Sequence, residues 1–455
     1  MKKLVLSGKR IITGQGSLDV LSEMNCRRAC IVTGGQSMIR THVIDRAEEL
    51  LRKAGAETML ISGVHKNPDF DEVADGVRRL KTFQPDLVAA IGGGSAMDAA
   101  KGMVLFYEFP ELTRENVLEK NRAGAIPASR SVRLVCVPST SGTGSEVTRG
   151  TVLTDRKQKL KVPIMTDCLR PDIAILDPDL PMTMPAHIAA ETGMDALTHA
   201  MESFINHNMD DIDAGLAREA IRGLMKWLPE SVHDGTLKAR EKVHNYQAMA
   251  GISFANAFLG INHSLSHKLG GWFHIPHGTA NALLFPYVCR FNAQKHPFHM
   301  GTFSQYKYPQ AFERYVELGE LIGVKGRTDE ETFENWIKAA EDLKKATDIP
   351  ETVLDWLLEA HPEKTKEQFE KEFLEAVDAM SEWAFHDACT GANPVYPTIS
   401  ELKALYLRSF YGNKVFEEKY GDVLSVDVDL PVDRHADYPN GPVELIGLDK
   451  VGGFK

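Results

Sequence analysis

Two pairs of side chains set four residues apart stand in the middle of the chain: Asp195 with His199, and His263 with His267. Each pair falls in a stretch with helical periodicity, where a spacing of four puts both side chains on one face and lets them share one ion. His274 and the triplet Pro276-His277-Gly278 follow closely. One carboxylate among several imidazoles suits a divalent first-row ion such as zinc or iron. It does not suit calcium or magnesium, which prefer oxygen ligands. A lone histidine is more often a hydrogen-bonded residue than a ligand; two helical pairs and a Pro-His-Gly loop together point to a metal. Spacing alone does not say which histidines would bind it.

A second group of residues suits an anion. Gly92-Gly93-Gly94-Ser95 follows the apolar run 87–91 and opens a helix expected over 96–103. Three glycines let the backbone approach a pyrophosphate, and a helix N-terminus adds oriented N–H groups. The spacing is not the common GxGxxG fingerprint, and a tight turn without a ligand is the plainer alternative. A second loop, Pro138-Ser139-Thr140-Ser141-Gly142-Thr143-Gly144-Ser145-Glu146, carries hydroxyls that could satisfy their own turn or bond phosphate and ribose oxygens. Two such loops at the carboxyl ends of neighbouring parallel strands point to a nucleotide.

These residues need a scaffold of two kinds. Strand-like runs at 29–33, 57–61, 87–91 and 132–138 alternate with helical patterns at 42–54 and 69–82, which predicts a mostly parallel sheet covered by helices. After about residue 181 long amphipathic segments take over, at 188–205, 214–228, 239–258 and 332–345, the last opened by a capping-box pattern at Thr328 and Glu331. The expected architecture is a Rossmann-like α/β domain over 1–180, an all-α domain over 181–412, and an extension over 413–455 to which no role is assigned. The extension is short of helical periodicity and reads as a surface wrap, with 423–430 as a candidate edge strand or partner cover.

Composition agrees with this division. A chain of 455 residues exceeds what one core usually fills. At 43% hydrophobic and 25% charged side chains it has the make-up of a globular protein, which argues against disorder. No apolar run is long enough for a membrane-spanning helix. A net charge of −11 gives no bulk attraction for nucleic acid or anionic membrane. The six cysteines are scattered, and Cys30 and Cys136 read as buried, reduced thiols. The short apolar run at the N-terminus predicts no signal peptide, hence a cytoplasmic protein.

The stretches Gly92-Gly93-Gly94-Ser95-Ala96-Met97-Asp98-Ala99-Ala100-Lys101, 140–146, Gly193-Met194-Asp195-Ala196-Leu197-Thr198-His199-Ala200-Met201-Glu202 and 254–281 resemble the iron-dependent (group III) alcohol dehydrogenases. The likeness is greatest to the alcohol dehydrogenase half of the bifunctional aldehyde–alcohol dehydrogenases, which Phe303-Ser304-Gln305-Tyr306 and Cys389-Thr390-Gly391-Ala392-Asn393-Pro394 also resemble. It covers roughly residues 10–412 and does not extend to an acyl-CoA-reducing half, so the chain is not expected to make its own aldehyde from a thioester. The resemblance implies a dehydroquinate-synthase-like fold with the active site in the cleft between the two domains, and a homodimer. It implies Asp195, His199, His263 and His277 as ligands of a divalent metal, iron ahead of zinc, and His267 near the reacting centre. The expected dinucleotide contacts are Gly34, Ser37, Gly92, Gly93, Gly94, Ser95, Asp98, Ser139, Thr140, Thr143 and Lys161.

The implied activity is a metal-dependent interconversion of primary alcohols and aldehydes by hydride transfer with NADP(H) or NAD(H), in the direction of aldehyde reduction. His267 is the candidate proton relay; orienting His263 or lining the pocket are its other possible roles. Residues 254–259, Trp272, Phe273 and 389–394 are expected to line an apolar substrate pocket. One departure bears on the cofactor. Where NAD-preferring relatives carry an aspartate after the second strand, this chain reads Thr33-Gly34-Gly35-Gln36-Ser37. Glycine removes a carboxylate that would repel a 2′-phosphate, and Ser37 and Arg40 lie close in sequence, so NADP(H) is expected to be accepted. Two competing readings are a dehydroquinate-synthase-like lyase, which needs a basic phosphate pocket, and a non-catalytic metal- or nucleotide-binding protein, which needs a degraded site.

Overall fold

The computed structural model describes residues 4–156, 160–299 and 309–429. Among the described residues, eight strands occupy the N-terminal part: β1 (Arg10–Thr13), β2 (Arg28–Gly34), β3 (Glu57–Val64), β4 (Leu87–Gly92), β5 (Arg133–Pro138), β6 (Gly150–Asp155), β7 (Leu160–Met165) and β8 (Ile173–Leu176). Six form a parallel sheet in the order β1-β8-β5-β4-β2-β3, while β6 and β7 make a separate antiparallel hairpin. The periodicity of the sequence led to β2–β5. It did not lead to β1 or β8, which have four residues each, or to the hairpin, whose exposed Val152 and buried Leu153 give only a weak alternation.

The sheet is buried on both faces, which is why its strands read as continuous apolar runs. Along β4, Val88 and Ala90 join Cys30, Val32, Leu134 and Cys136 in one core. Leu87, Ala89 and Ile91 join Ala29, Ile31, Val135 and Val137 in the other. Burial pushes the Cys30 and Cys136 thiols up to about 12, so both are inert, as expected. Helices α1 (Ser37–Arg40), α2 (Val43–Lys53), α3 (Phe70–Phe83), α4 (Gly94–Glu108) and α5 (Val117–Arg122) accompany the sheet. The chain leaves β2 outward to β3 and returns across it to β4. The carboxyl ends of β2 and β4 therefore flank the point where strand order reverses, the usual ligand crevice of such sheets.

The second part is helical: α6 (Ala186–Ile205), α7 (Asp211–His233), α8 (Leu237–Ala257), α9 (Ile261–Phe273), α10 (His277–Asn292), α11 (Ala311–Leu321), α12 (Asp329–Ala346), α13 (Val353–Ala360), α14 (Lys366–Phe385), α15 (Ile399–Tyr411) and α16 (Asn413–Tyr420). One core runs through it, with Trp336, Tyr315, Phe373 and Phe410 fully buried. The α12 start keeps half of its expected box. Thr328 accepts from the Glu331 amide at 3.1 Å, but the Glu331 carboxylate takes the amide of Arg327 at 2.8 Å. No helix among the described residues is long and apolar enough to cross a membrane.

The extension departs from expectation in one respect. Residues 413–420 form a helix, held by a fully buried Phe416 under the Arg408 guanidinium at 4.3 Å. Residues 421–429 then wrap α15 without pairing as a strand, Val426 N–H donating to the Ser400 carbonyl at 3.2 Å and Lys403 Nζ to that of Asp427 at 2.8 Å. Phe303-Ser304-Gln305-Tyr306, Leu430 and the rest of the extension lie outside the described residues.

The two parts meet where α8 grips the loop after β5. Ser141 Oγ lies 2.9 Å from His244 Nδ1. Gln247 accepts from the Gly144 amide at 3.0 Å and donates to the buried Glu146 carboxylate at 2.6 Å. Below them Val147, Ala174 and Leu176 pack on Ala248 and Ile252.

Candidate metal and dinucleotide site

Asp195 is the hub. It sits in the fully buried half of α6, 5% exposed, and its Oδ1 lies 3.5 Å from His277 Nε2, 3.8 Å from His263 Nε2 and 3.9 Å from His199 Nε2. The ligand atoms of Asp195, His263 and His277 lie within 4.8 Å of one another. His199 stands at the side of this trio, its ring stacked on His263 at 4.7 Å and on Phe254 at 4.4 Å. Separations of 3.5–3.9 Å are too long for hydrogen bonds but near the ligand–ligand edge of about 3.4 Å expected around a tetrahedral ion with bonds of about 2.1 Å. The donor set, one carboxylate and three imidazoles, fits a divalent zinc or iron ion.

The electrostatics of Asp195, His199 and His277 point the same way. Burial tends to raise the Asp195 pKa, but the surrounding imidazoles win and hold it well below the usual carboxylate range. Burial lowers His199 to about 4 and His277 well below its ordinary value, so both are neutral near pH 7, the form a metal ligand needs. The His277 side chain is 40% exposed while those of His199 and His263 are 8% and 2%. The cluster therefore opens on the His277 side.

Local sequence explains how the trio assembles. His263 lies in the first turn of α9 and His277 opens α10, after the left-handed His274 ends α9. Gly278 is obligatory: a Cβ there would lie 1.9 Å from the Glu191 carbonyl oxygen. His274 is exposed and stands outside the cluster.

Two residues with no role in the sequence reading complete the surroundings. Glu202, 1% exposed, lies 2.5 Å from His263 Nδ1 and accepts from the Asn262 amide at 2.6 Å. Against the pull of burial, Glu202 and Asp195 raise His263 to about 9. The signal was present: Asp195, His199 and Glu202 follow an i, i+4, i+7 rule along one helix face. Asn281, one turn after His277, donates Nδ2 to Asp195 Oδ1 at 2.7 Å and approaches the Nε2 atoms of His263 and His277 at 3.3 and 3.4 Å.

His267 lies beside the trio, its ring parallel to His277 at 5.4 Å, with Nδ1 2.9 Å from Asp387 Oδ2. The role of partner to His263 is thus filled by Glu202, not by His267. Of the expected pocket residues, Phe254 touches the cluster, while Phe273 turns into the helical core against Phe373 at 5.4 Å. The 389–394 loop braces α9 instead: Asn393 Oδ1 accepts from the Ile261 amide at 3.1 Å, and Thr390 Oγ1 donates to Ser264 at 2.8 Å.

The glycine- and hydroxyl-bearing dinucleotide candidates gather at the carboxyl ends of β2, β4 and β5. Ser139 N–H donates to the Gly92 carbonyl at 2.9 Å, tying the two loops together. Gly93 and Gly94 face Thr140 and Thr143, where a Cβ on Gly94 would come within 2.8 Å of the Thr143 methyl. Helix α4 begins at Gly94, two residues before the expected start, and no side chain caps it, which leaves its first N–H groups for an anion. Gly34 ends β2, and Ser37 opens α1 with its side chain exposed. Asp98 accepts from Ser145 Oγ of the second loop at 3.1 Å and from the Val152 amide at 3.3 Å; burial raises it to about 6. Lys161 lies on β7 opposite Thr154 with an exposed side chain.

The family description "Iron-containing alcohol dehydrogenase" matches residues 8–178, and "Fe-containing alcohol dehydrogenase family, C-terminal" matches residues 189–410. The chain is 38% identical over 406 residues to an NADPH-dependent butanol dehydrogenase of Clostridium saccharobutylicum, covering 89% of this chain and 97% of that one. It is 40% identical over 423 residues to the bifunctional aldehyde-alcohol dehydrogenase AdhE of Escherichia coli K12, covering 90% of this chain but 46% of that longer protein. The structure of an iron-containing alcohol dehydrogenase from Thermococcus thioreducens superposes with a TM-score of 0.78 at 34% identity, over 91% of this chain and all of that one. A parallel sheet ending in glycine loops, a helical half carrying an Asp–His cluster, and these likenesses lead to one conclusion: the chain belongs to the iron-containing alcohol dehydrogenases.

Proposed function

We propose that the protein is a metal-dependent aldehyde reductase, converting aldehydes to primary alcohols with NADPH, with Asp195, His199, His263 and His277 holding the metal. The observation that carries this reading is the cluster centred on Asp195 Oδ1, which is open on the His277 side. When bound, a divalent ion there supplies Lewis acidity toward a carbonyl oxygen, and a reduced nicotinamide supplies the hydride. The chain's own contribution is placement. Glu202 and Asn281 fix the ligand side chains, the loops at 34–37, 92–95 and 139–143 orient the dinucleotide, and Phe254 keeps water from one side. His267 delivers the proton that the reduced substrate oxygen needs.

Iron is the proposed ion, in keeping with the family. The lyase reading loses support because Lys268, the one basic residue in 254–277, already pairs with Asp387 at 2.9 Å. Following NADPH absorbance over a panel of short and medium aldehydes tests the function. Aldehyde-dependent oxidation, lost on metal removal and restored by ferrous ion, is expected; stable absorbance with every aldehyde contradicts it.

Preference for NADPH over NADH rests on Gly34, whose φ lies outside the left-handed region and where a Cβ would meet the Val64 carbonyl oxygen at 3.1 Å and the Ala96 methyl at 3.6 Å. Gly34→Asp needs only a small local adjustment and restores a carboxylate beside the adenosine ribose. It is expected to lower kcat/KM for NADPH relative to NADH by about tenfold or more, the value of roughly 1.4 kcal/mol. An unchanged ratio in steady-state kinetics would refute this placement of the ribose. A homodimer in the cytoplasm belongs to the same proposal: β1 is an edge strand with Ile11 exposed, and Val5 and Leu6 ahead of it are exposed as well, a surface suited to a second copy.

A further inference from the structure

Asp387 lies just beyond α14, before the 3-10 turn Thr390–Ala392, 120 residues from His267 in sequence but in contact with it. Its Oδ2 is shared by His267 Nδ1 and by Lys268 Nζ, each at 2.9 Å, and its Oδ1 accepts from the Cys389 amide at 3.0 Å. The backbone around it is tied down as well, with Asp387 N–H donating to the Ala384 carbonyl and Thr390 N–H donating to that of Asp387, both at 3.1 Å. The carboxyl group is 12% exposed, whereas the His267 ring is 36% exposed and parallel to His277. A well-anchored carboxylate thus grips one nitrogen of a histidine whose ring face is stacked on His277 of the metal cluster.

We infer that Asp387 is a positioning residue that holds His267 in the tautomer with a proton on Nδ1, so that Nε2 is the atom exchanging protons with substrate. The inference rests on the proposed role of His267 as relay. Three donors already point at the two carboxyl oxygens, so the group serves as an ionised acceptor, and Lys268 and His267 together outweigh burial to keep it well below the usual carboxylate range. An acceptor at Nδ1 fixes that nitrogen as N–H and leaves the lone pair on Nε2. In the reducing direction the imidazolium gives its Nε2 proton to the substrate oxygen, returns to the neutral Nδ1–H form, and is reprotonated from solvent. Hydride and proton together convert the aldehyde to the alcohol.

The test compares full-length wild type, Asp387→Asn, His267→Ala and the double variant by steady-state kinetics and metal content. An asparagine has one acceptor oxygen for three donors and so cannot reproduce the grip on Nδ1. Asp387→Asn is expected to lower kcat about tenfold with KM for aldehyde little changed and metal retained, and to have no further effect once His267 is alanine. Multiplying losses in the double variant, or an unaltered kcat in Asp387→Asn, overturns the inference while leaving the relay intact. An unaltered kcat in His267→Ala overturns the relay reading itself. Nitrogen-15 spectra of the histidine-labelled, zinc-loaded wild type, with the His267 signal identified by its loss in His267→Ala, report the tautomer without any change at Asp387. A proton on Nδ1 is expected; a proton on Nε2 alone overturns the inference.

Discussion

Replacing His277 or His263 with alanine is expected to abolish metal retention and turnover together. Either change removes an imidazole facing Asp195 Oδ1, at 3.5 Å for His277 and 3.8 Å for His263. The remaining donors include a carboxylate that is 5% exposed and depends on those imidazoles for its low pKa. Without an ion or a full set of imidazoles, the buried charge is compensated only in part. Lewis-acid activation contributes several kcal/mol to such reactions, so losing it lowers kcat by roughly a thousandfold or more. Metal content by plasma mass spectrometry and aldehyde-dependent NADPH oxidation check both halves. A His277→Ala protein without metal but with intact turnover would contradict the Lewis-acid role.

Glu202→Ala is expected to lower metal affinity by about ten- to a hundredfold, the usual effect of removing a carboxylate behind a ligating histidine. The structural reason is specific. Glu202 is the acceptor that fixes His263 Nδ1 at 2.5 Å and thereby directs Nε2 toward Asp195, and it also satisfies the buried amide of Asn262 at 2.6 Å. Alanine leaves His263 free to rotate and strands an amide at the start of α9. Glu202→Gln keeps an oxygen and the volume and is expected to fall between alanine and wild type. Chelator competition measures the affinities, and a Glu202→Ala protein that binds metal as tightly as wild type would remove Glu202 from the site.

Both predictions concern helix faces, and helix faces are where the sequence is most readable. The four-residue pairs Asp195/His199 on α6 and His263/His267 on α9 follow from periodicity alone. Periodicity does not choose between His263 and His267, which lie one turn apart on the same helix. The family resemblance makes that choice; the contacts that differ between the two, Glu202 on His263 and Asp387 on His267, come from distant elements. Asn281 and Asp387 were illegible for the same reason: each acts through contacts far away in sequence, Asn281 Nδ2 on Asp195 and Asp387 on His267. In the fold, β2–β5 were visible because burial on both faces makes them unbroken apolar runs. Strand β1 is mostly exposed, and helix α16 is held by one aromatic residue, so neither leaves a strong pattern.

Anomalous X-ray diffraction at the iron absorption edge, on crystals of anaerobically purified full-length protein, addresses the centre of the account directly. One peak is expected about 2.0–2.2 Å from a carboxyl oxygen of Asp195 and from ring nitrogens of His199, His263 and His277. The absence of any peak there after reconstitution with ferrous ion, with those four side chains turned apart, would contradict it.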